Sequence, residues 1–203
     1  SGIRLMNRID TKFLVYFNQL PTLLEMAQKD YYVQEIGSLR KAYYRTLYYD
    51  TPSAEMYVVH HNQKLNRQKI RIREYVDSNL IYFEVKRKSN KGRTSKKRIT
   101  VTDENVLTNS EAIAFLDEKS DYRMDEVDFR LRNNFYRITL VNKEKSERLT
   151  IDYDINFKNC VTGIENTIPH LCIVEVKQDG NAFSHFKKYL SKLRIKQRSV
   201  SKY

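Results

Sequence analysis

Arg71 and Arg73 stand two apart in KIRIREY (69–75), and Glu84, Lys86 and Lys88 follow with the same spacing in FEVKRK (83–88). Side chains two apart in a strand share a face, so each segment has one charged face and one apolar face, the latter carrying Ile70 and Ile72 or Phe83 and Val85. The same spacing groups Arg8, Asp10 and Lys12; Lys96, Arg98 and Thr100; Arg137 and Thr139; Arg148, Thr150 and Asp152; and Glu175 and Lys177. The charged set so defined holds eleven Lys/Arg and four Asp/Glu, an imbalance that calls for a polyanion. Guanidinium forks grip phosphate oxygens in pairs, and lysines act as point charges. Carboxylates among them suit a divalent cation such as Mg²⁺ or Mn²⁺ bridging to phosphate, since these ions need only one or two protein carboxylates.

These residues need strands to hold them. Strand patterns cover 8–15, 31–36, 43–50, 67–76, 80–88, 95–102, 135–141, 147–155 and 171–178, with the polar turn NKEKS joining the pair 135–141 and 147–155. Helical patterns cover LPTLLEMAQKD with Pro21 in its first turn, PSAEMYVVHHNQ, EAIAFLDEK capped from Asn109-Ser110, and 182–193. About eight or nine strands and four helices in mixed order predict an α+β fold with a mainly antiparallel sheet. Alternation alone leaves two readings open. In one, the charged faces are solvated and the apolar faces make a sandwich core. In the other, the apolar faces lie outward under helices and the cations line an interior that an anion must neutralise.

The bulk properties agree with a polyanion partner. The net charge is +12 over 203 residues, and only five Gly and three Pro argue against linkers. No apolar run approaches the roughly 18 residues of a membrane span, and no leader-like run opens the sequence. Cys160 and Cys172 are too few for a disulfide framework and point to a reducing, cytoplasmic compartment. The adjacent pair His60-His61 in a helical pattern is poor metal-ligand geometry and reads as ordinary polar residues. No aromatic–basic RNA motif or zinc-finger spacing supports a nucleic-acid partner.

The series RIDTKF, LYYDT, KIRIREY, FEVKRK, SKKRITV, YRITL, ERLTID and IVEVK, running from Arg8 to the closing SVSKY, resembles the VTC domain, the polyphosphate polymerase domain of the triphosphate tunnel metalloenzymes (the CYTH-like superfamily). The resemblance implies a single domain over 1–203, folded as an eight-stranded antiparallel β-barrel with a charged lumen wrapped by helices. It implies phosphate binding by Lys12, Arg71, Arg73, Lys86, Lys96, Arg137, Arg148, Lys177, Ser201 and Lys202, with Lys202, Arg137 and Arg148 closest to the reaction. Glu175 matches the family's metal-binding glutamate, and Glu84 is a second metal candidate. The implied partners are ATP and inorganic polyphosphate or tripolyphosphate, with association with a membrane-protein partner at the cytoplasmic face of a membrane. Many tunnel enzymes begin E-x-E-x-K; here the stretch is Arg8-Ile9-Asp10-Thr11-Lys12, which favours the VTC branch and fewer metal ligands. The implied activity is extension of polyphosphate from ATP. The alternatives are a tripolyphosphatase or nucleoside triphosphatase of the same fold, and a polyphosphate-binding module without turnover.

Overall fold

A computed structural model describes residues 8–62, 64 and 66–202. Residues 1–7, on which the expectation about a leader falls, and Tyr203 of the Ser-Lys-Tyr motif lie outside the described residues. The strands are β1 (Arg8–Tyr16), β2 (Tyr31–Val33), β3 (Ala42–Asp50), β4 (Arg67–Tyr75), β5 (Leu80–Lys88), β6 (Thr94–Val101), β7 (Asp128–Asn142), β8 (Glu147–Asn159), β9 (Glu165–Ile168) and β10 (Leu171–Asp179). The helices are α1 (Leu20–Ala27), α2 (Glu55–His61), α3 (Ser110–Lys119) and α4 (His185–Lys192). The chain folds into two compact units, one built from Ser1–Tyr43, Phe135–Asn156 and Thr167–Lys202, the other from Tyr44–Asn134 and Phe157–Asn166.

In the first unit the hydrogen-bonded order is β1-β10-β8-β7, with β2 added to β7. Its dry face carries Phe13, Val15, Leu149, Ile151, Val174 and Val176, and these pack with Leu20, Leu23 and Ala27 of α1 and Phe186, Tyr189 and Leu190 of α4. Pro21 occupies the first turn of α1, where its missing N–H costs nothing. The β7–β8 turn is closed by Asn142, whose Oδ1 accepts the N–H groups of Ser146 and Glu147, both at 2.9 Å.

In the second unit the order is β3-β4-β5-β6, and the β3–β4, β4–β5 and β5–β6 pairs are antiparallel. Ile70, Ile72, Phe83 and Val85 are at most 1% exposed and pack with Ala112, Phe115 and Leu116 of α3 and Met56 of α2. Each such burial is worth about 1.5–3 kcal/mol. Asn109 caps α3 as expected, its Oδ1 accepting the Ala112 N–H at 3.0 Å. The second helix starts three residues later than Pro52: Ala54 sits at φ 56°, and the Asp50 carboxylate at the end of β3 receives the N–H groups of Met56 and Tyr57.

The antiparallel α+β class and the four helices are as expected. The closed eight-stranded barrel is corrected to ten strands whose pairings, among the described residues, form an open path on which β1 and β6 each have one hydrogen-bonded neighbour. Eight strands lie on that path, and the short β2 and β9 attach beside it. β9 carries too short a pattern to read from sequence, and β7 is longer than expected because Asp128–Asn134 continue the strand past the alternating core.

Candidate phosphate-binding site

In both units the apolar sheet face is the one under helices, so the charged face is the opposite one. It is not a simple solvated face. In the second unit, cross-strand register sets Arg71 opposite Tyr48 on one side and Glu84 on the other, with Glu84 opposite Arg98. The Glu84 side chain is 0% exposed and that of Arg71 17%. Arg71 Nε donates to Glu84 Oε2 at 2.7 Å, and Lys96 Nζ lies 3.4 Å from the same oxygen. Burial pushes the Glu84 carboxyl up, but Arg71 and Lys96 outweigh it and hold it below the usual range. Glu84 Oε1 is buried without a hydrogen-bond partner. Lys96 pays for the crowding: burial and the neighbouring Arg71 and Arg73 push it down to about 8, against the pull of Glu84.

Arg73 is itself buried, its Nε donating to Thr46 Oγ1 at 3.1 Å, with its guanidinium 5.8 Å from the Tyr44 ring centre. Arg98 lies 4.1 Å over the Tyr82 ring. Aromatic faces therefore hold the two guanidinium groups in place without neutralising them. Lys86 falls on the same face as Glu84, two residues further along β5 and opposite Lys96.

The first unit carries its own set. Lys12 stands opposite Glu175, Asp10 opposite Lys177, and Lys177 opposite Arg148. Glu175 has Lys177 at 3.4 Å and Lys12 at 4.0 Å. Burial raises its carboxyl, but Lys177, Lys12 and Arg137 outweigh that and keep it ionised. Arg8, which replaces the first acid of the E-x-E-x-K pattern, pairs with Asp10 at 2.8 Å.

The residue that sequence reading left without a role is Asp152. Its side chain is 2% exposed, and it receives Arg137 through Nε at 2.7 Å and Nη2 at 2.9 Å. Lys202 Nζ lies 2.5 Å from its Oδ2. Burial alone would raise this carboxyl; Arg137 and Lys202 instead hold it well below the usual carboxylate range. Its only sequence signal was its place two residues past Thr150 on the charged parity. Asp152 positions two of the three residues expected nearest the reaction. The chain end reaches it along β1: the Arg198 N–H donates to the Lys12 carbonyl at 2.9 Å, and Lys12 Nζ donates to the Val200 carbonyl at 3.1 Å. Ser201 is half-buried in that tail. Lys202 Nζ also lies 4.7 Å from the Phe135 ring centre.

For a metal, the donors are sparse. No group of three His, Cys, Asp or Glu gathers among the described residues. Glu175 offers one ionised carboxylate among lysines that would hold phosphate, which fits an ion taking most of its ligands from substrate oxygens. Glu84, with Oε2 committed to two cations, is the weaker candidate. His61 stacks on Tyr57 within α2, the ordinary role expected of it. A cavity of about 590 Å³ lined by Leu107, Met124, Asp117 and Asp125 contains none of the expected site residues.

The fold has solved counterparts. A candidate adenylate cyclase from Bacillus halodurans superposes with a TM-score of 0.61 at 16% identity, over 96% of this chain and 94% of its own. A candidate adenylyl cyclase from Hippeastrum, described as having a dominant triphosphatase activity, gives 0.58 at 14% identity, over 96% and 92%. A candidate adenylate cyclase from Vibrio parahaemolyticus gives 0.55 at 12%, over 98% and 97%. A search of curated protein sequences finds no match. The chain shares the fold of these structures. The sequence profile of the VTC domain matches residues 7–203, and the chain belongs to the VTC domain family.

Proposed function

We propose that the protein is a metal-dependent phosphotransferase that extends inorganic polyphosphate from ATP. The observation that carries this reading is the set of cations fixed on the strand faces away from the helices: Arg71 by the buried Glu84, the buried Arg73 by Thr46, and Arg137 and Lys202 by the buried Asp152, an array suited to an anion. Lys12, Arg71, Arg73, Lys86, Lys96, Lys177 and Ser201 are assigned to phosphate oxygens. Arg137, Arg148 and Lys202 are assigned to the charge that develops on the transferred group, where preorganised donors contribute most. A terminal phosphate oxygen of the chain attacks the γ-phosphorus of ATP in line. The bond from that phosphorus to the β–γ bridging oxygen breaks, and ADP leaves with the electron pair. The attacking oxygen is already anionic at neutral pH, so no side-chain base is needed. Glu175 would hold Mg²⁺ or Mn²⁺, which when bound supplies charge neutralisation at phosphate oxygens.

The test is ATP with Mn²⁺, with and without a short polyphosphate primer, assayed for ADP, orthophosphate and long-chain product, on the wild type and Glu175→Ala. The expected result is long-chain product equal to ADP released, lost in Glu175→Ala with phosphate affinity largely retained. Orthophosphate in place of long chains would make the protein a hydrolase, the second reading, which the likeness to the Hippeastrum protein favours. Tight polyphosphate binding with no ADP release would make it a binding module, the reading favoured by the single-carboxylate metal site. Ion pairing at Asp152 and association with a membrane-protein partner at a cytoplasmic membrane face stand outside this test.

A further inference from the structure

The helices of the first unit do not cover the whole dry face of its sheet. Beside the end of α1 a groove of about 410 Å³ remains. Leu24 and Ala27 of α1, Tyr31 and Val33 of β2, and Ile138 and Leu140 of β7 line it. Leu24 and Ile138 stay only partly buried, and Val33 is 38% exposed. Tyr31 commits its hydroxyl to Glu147 and the Phe186 N–H, so it brings the groove a ring. Arg40, Lys41 and the Gln28 amide complete the lining, and among the described residues no carboxylate lines it. Both cations follow a tight turn. Ile36 and Leu39 exchange backbone hydrogen bonds at 3.0 and 3.1 Å, and Gly37 between them takes φ 62°, which glycine adopts at no steric cost. The turn holds the arm carrying Arg40 and Lys41 against the segment that leaves β2. Lys41 Nζ lies 5.1 Å from the Tyr136 ring centre, a contact that orients an ammonium without neutralising it. Arg40 meets Glu35 at 3.3 Å, but both side chains are exposed, and such pairs hold weakly.

Size selects the occupant. Small-molecule sites span about 300–1,000 Å³. One turn of an α-helix, about 10 Å across and 5.4 Å long, already fills about 420 Å³, so a helical peptide would seat a single turn here. At about 30 Å³ per non-hydrogen atom, the share of one water in the liquid, the groove takes about a dozen atoms. Charge selects the head group: cations without an acid call for an anion. The second unit's cavity of about 590 Å³ is the reverse, with Asp117, Asp125, Glu126 and Asp128 against Arg123. We propose that the groove binds a medium-chain aliphatic carboxylate of about ten carbons, its chain along Leu24, Ile138 and Leu140 and its head at Lys41 and Arg40. The chain gains by leaving water in proportion to its length, and the head gains charge-assisted hydrogen bonds. The groove lies on the apolar sheet face, away from the cations assigned to phosphate, and stands without that assignment.

The test is calorimetric titration of the full chain with decanoate, butyrate, decanol and decyltrimethylammonium, each below its micelle concentration, with and without tripolyphosphate. Decanoate should bind saturably, and butyrate and the ammonium at least about tenfold more weakly. Arg40→Gln/Lys41→Gln should lose about tenfold or more in decanoate affinity while decanol and tripolyphosphate affinities stay within about twofold. Val33→Glu, at an exposed position, should weaken decanoate as much by placing an acid in the groove. Lys188→Gln/Lys192→Gln, the same charge change on α4, should match the wild type. Displacement of decanoate by tripolyphosphate would put it on the cationic strand faces and overturn the proposal. Equal losses in the α4 variant, or a preference for decyltrimethylammonium, would also overturn it. Binding to phosphatidylglycerol vesicles without saturable binding of free decanoate would make this face a bilayer contact instead. Decanoate binding in a protein that takes no tripolyphosphate would remove the phosphate receptor and leave the groove standing.

Discussion

Lys96 shows how much a single charge can report. Beside Arg71 and Arg73, it is pushed from an ordinary 10.5 to about 8. In the unfolded chain it keeps its proton to higher pH, so between about 8 and 10.5 the unfolded state binds more protons and Lys96 makes folding stability rise with pH. A phosphate anion placed beside it does the reverse and favours the ammonium. Binding of tripolyphosphate near pH 8.5 should therefore take up protons, seen as a calorimetric enthalpy that depends on the buffer's ionisation heat, and Lys96→Met should lose that uptake. Equal enthalpies in all buffers for the wild type would mean the anion does not sit at Lys96. Asp152 and Glu84 stay ionised for the opposite reason: the cations around each outweigh its burial.

Among the elements, α4 depends on a buried polar network as much as on its apolar stripe. Tyr31 Oη donates to Glu147 Oε1 at 2.8 Å and accepts the Phe186 N–H at 3.0 Å. Ser184 caps the helix, its Oγ accepting the Lys187 N–H at 3.1 Å and donating to Glu147 Oε1 at 3.0 Å. Burial pushes the Glu147 carboxyl above its usual range, only partly offset by these hydrogen bonds. Tyr31→Phe keeps the ring against Phe186 but strips partners from a buried acid and a helix N–H. It should cost about 1–3 kcal/mol in urea unfolding. A loss under about 0.5 kcal/mol would show that the network is not holding α4 to β2 and the β7–β8 turn. The alternating strands were legible because a period of two needs only local backbone geometry. Ser184 and Glu147 were not, since the cap and the acid are 37 positions apart and meet only when α4 packs on the sheet.

For the whole chain, the net charge of +12 is a store of self-repulsion that a bound polyanion relieves. Tripolyphosphate at about 100 times its dissociation constant should stabilise the folded state by about 2.7 kcal/mol, or roughly 5–10 °C in melting temperature for a chain of this size, and less as salt screens the cations. An unchanged melting temperature at low salt would mean that the cations bind no triphosphate in the folded state. By itself the sequence determined which residues share a strand face: Arg71 with Arg73, Glu84 with Lys86, Glu175 with Lys177, because side chains alternate by covalent geometry. It also carried the ordered motifs that identify the VTC family. It left open which face is dry, since alternation is symmetric between inside and outside. Only the tertiary structure decided that, by laying α1 and α4 on Leu149 and Val174, and α3 on Ile72 and Phe83. It also brought Lys202 to Asp152, 50 residues away in sequence, an ion pair that no local pattern encodes because it forms only where the chain end runs back along β1.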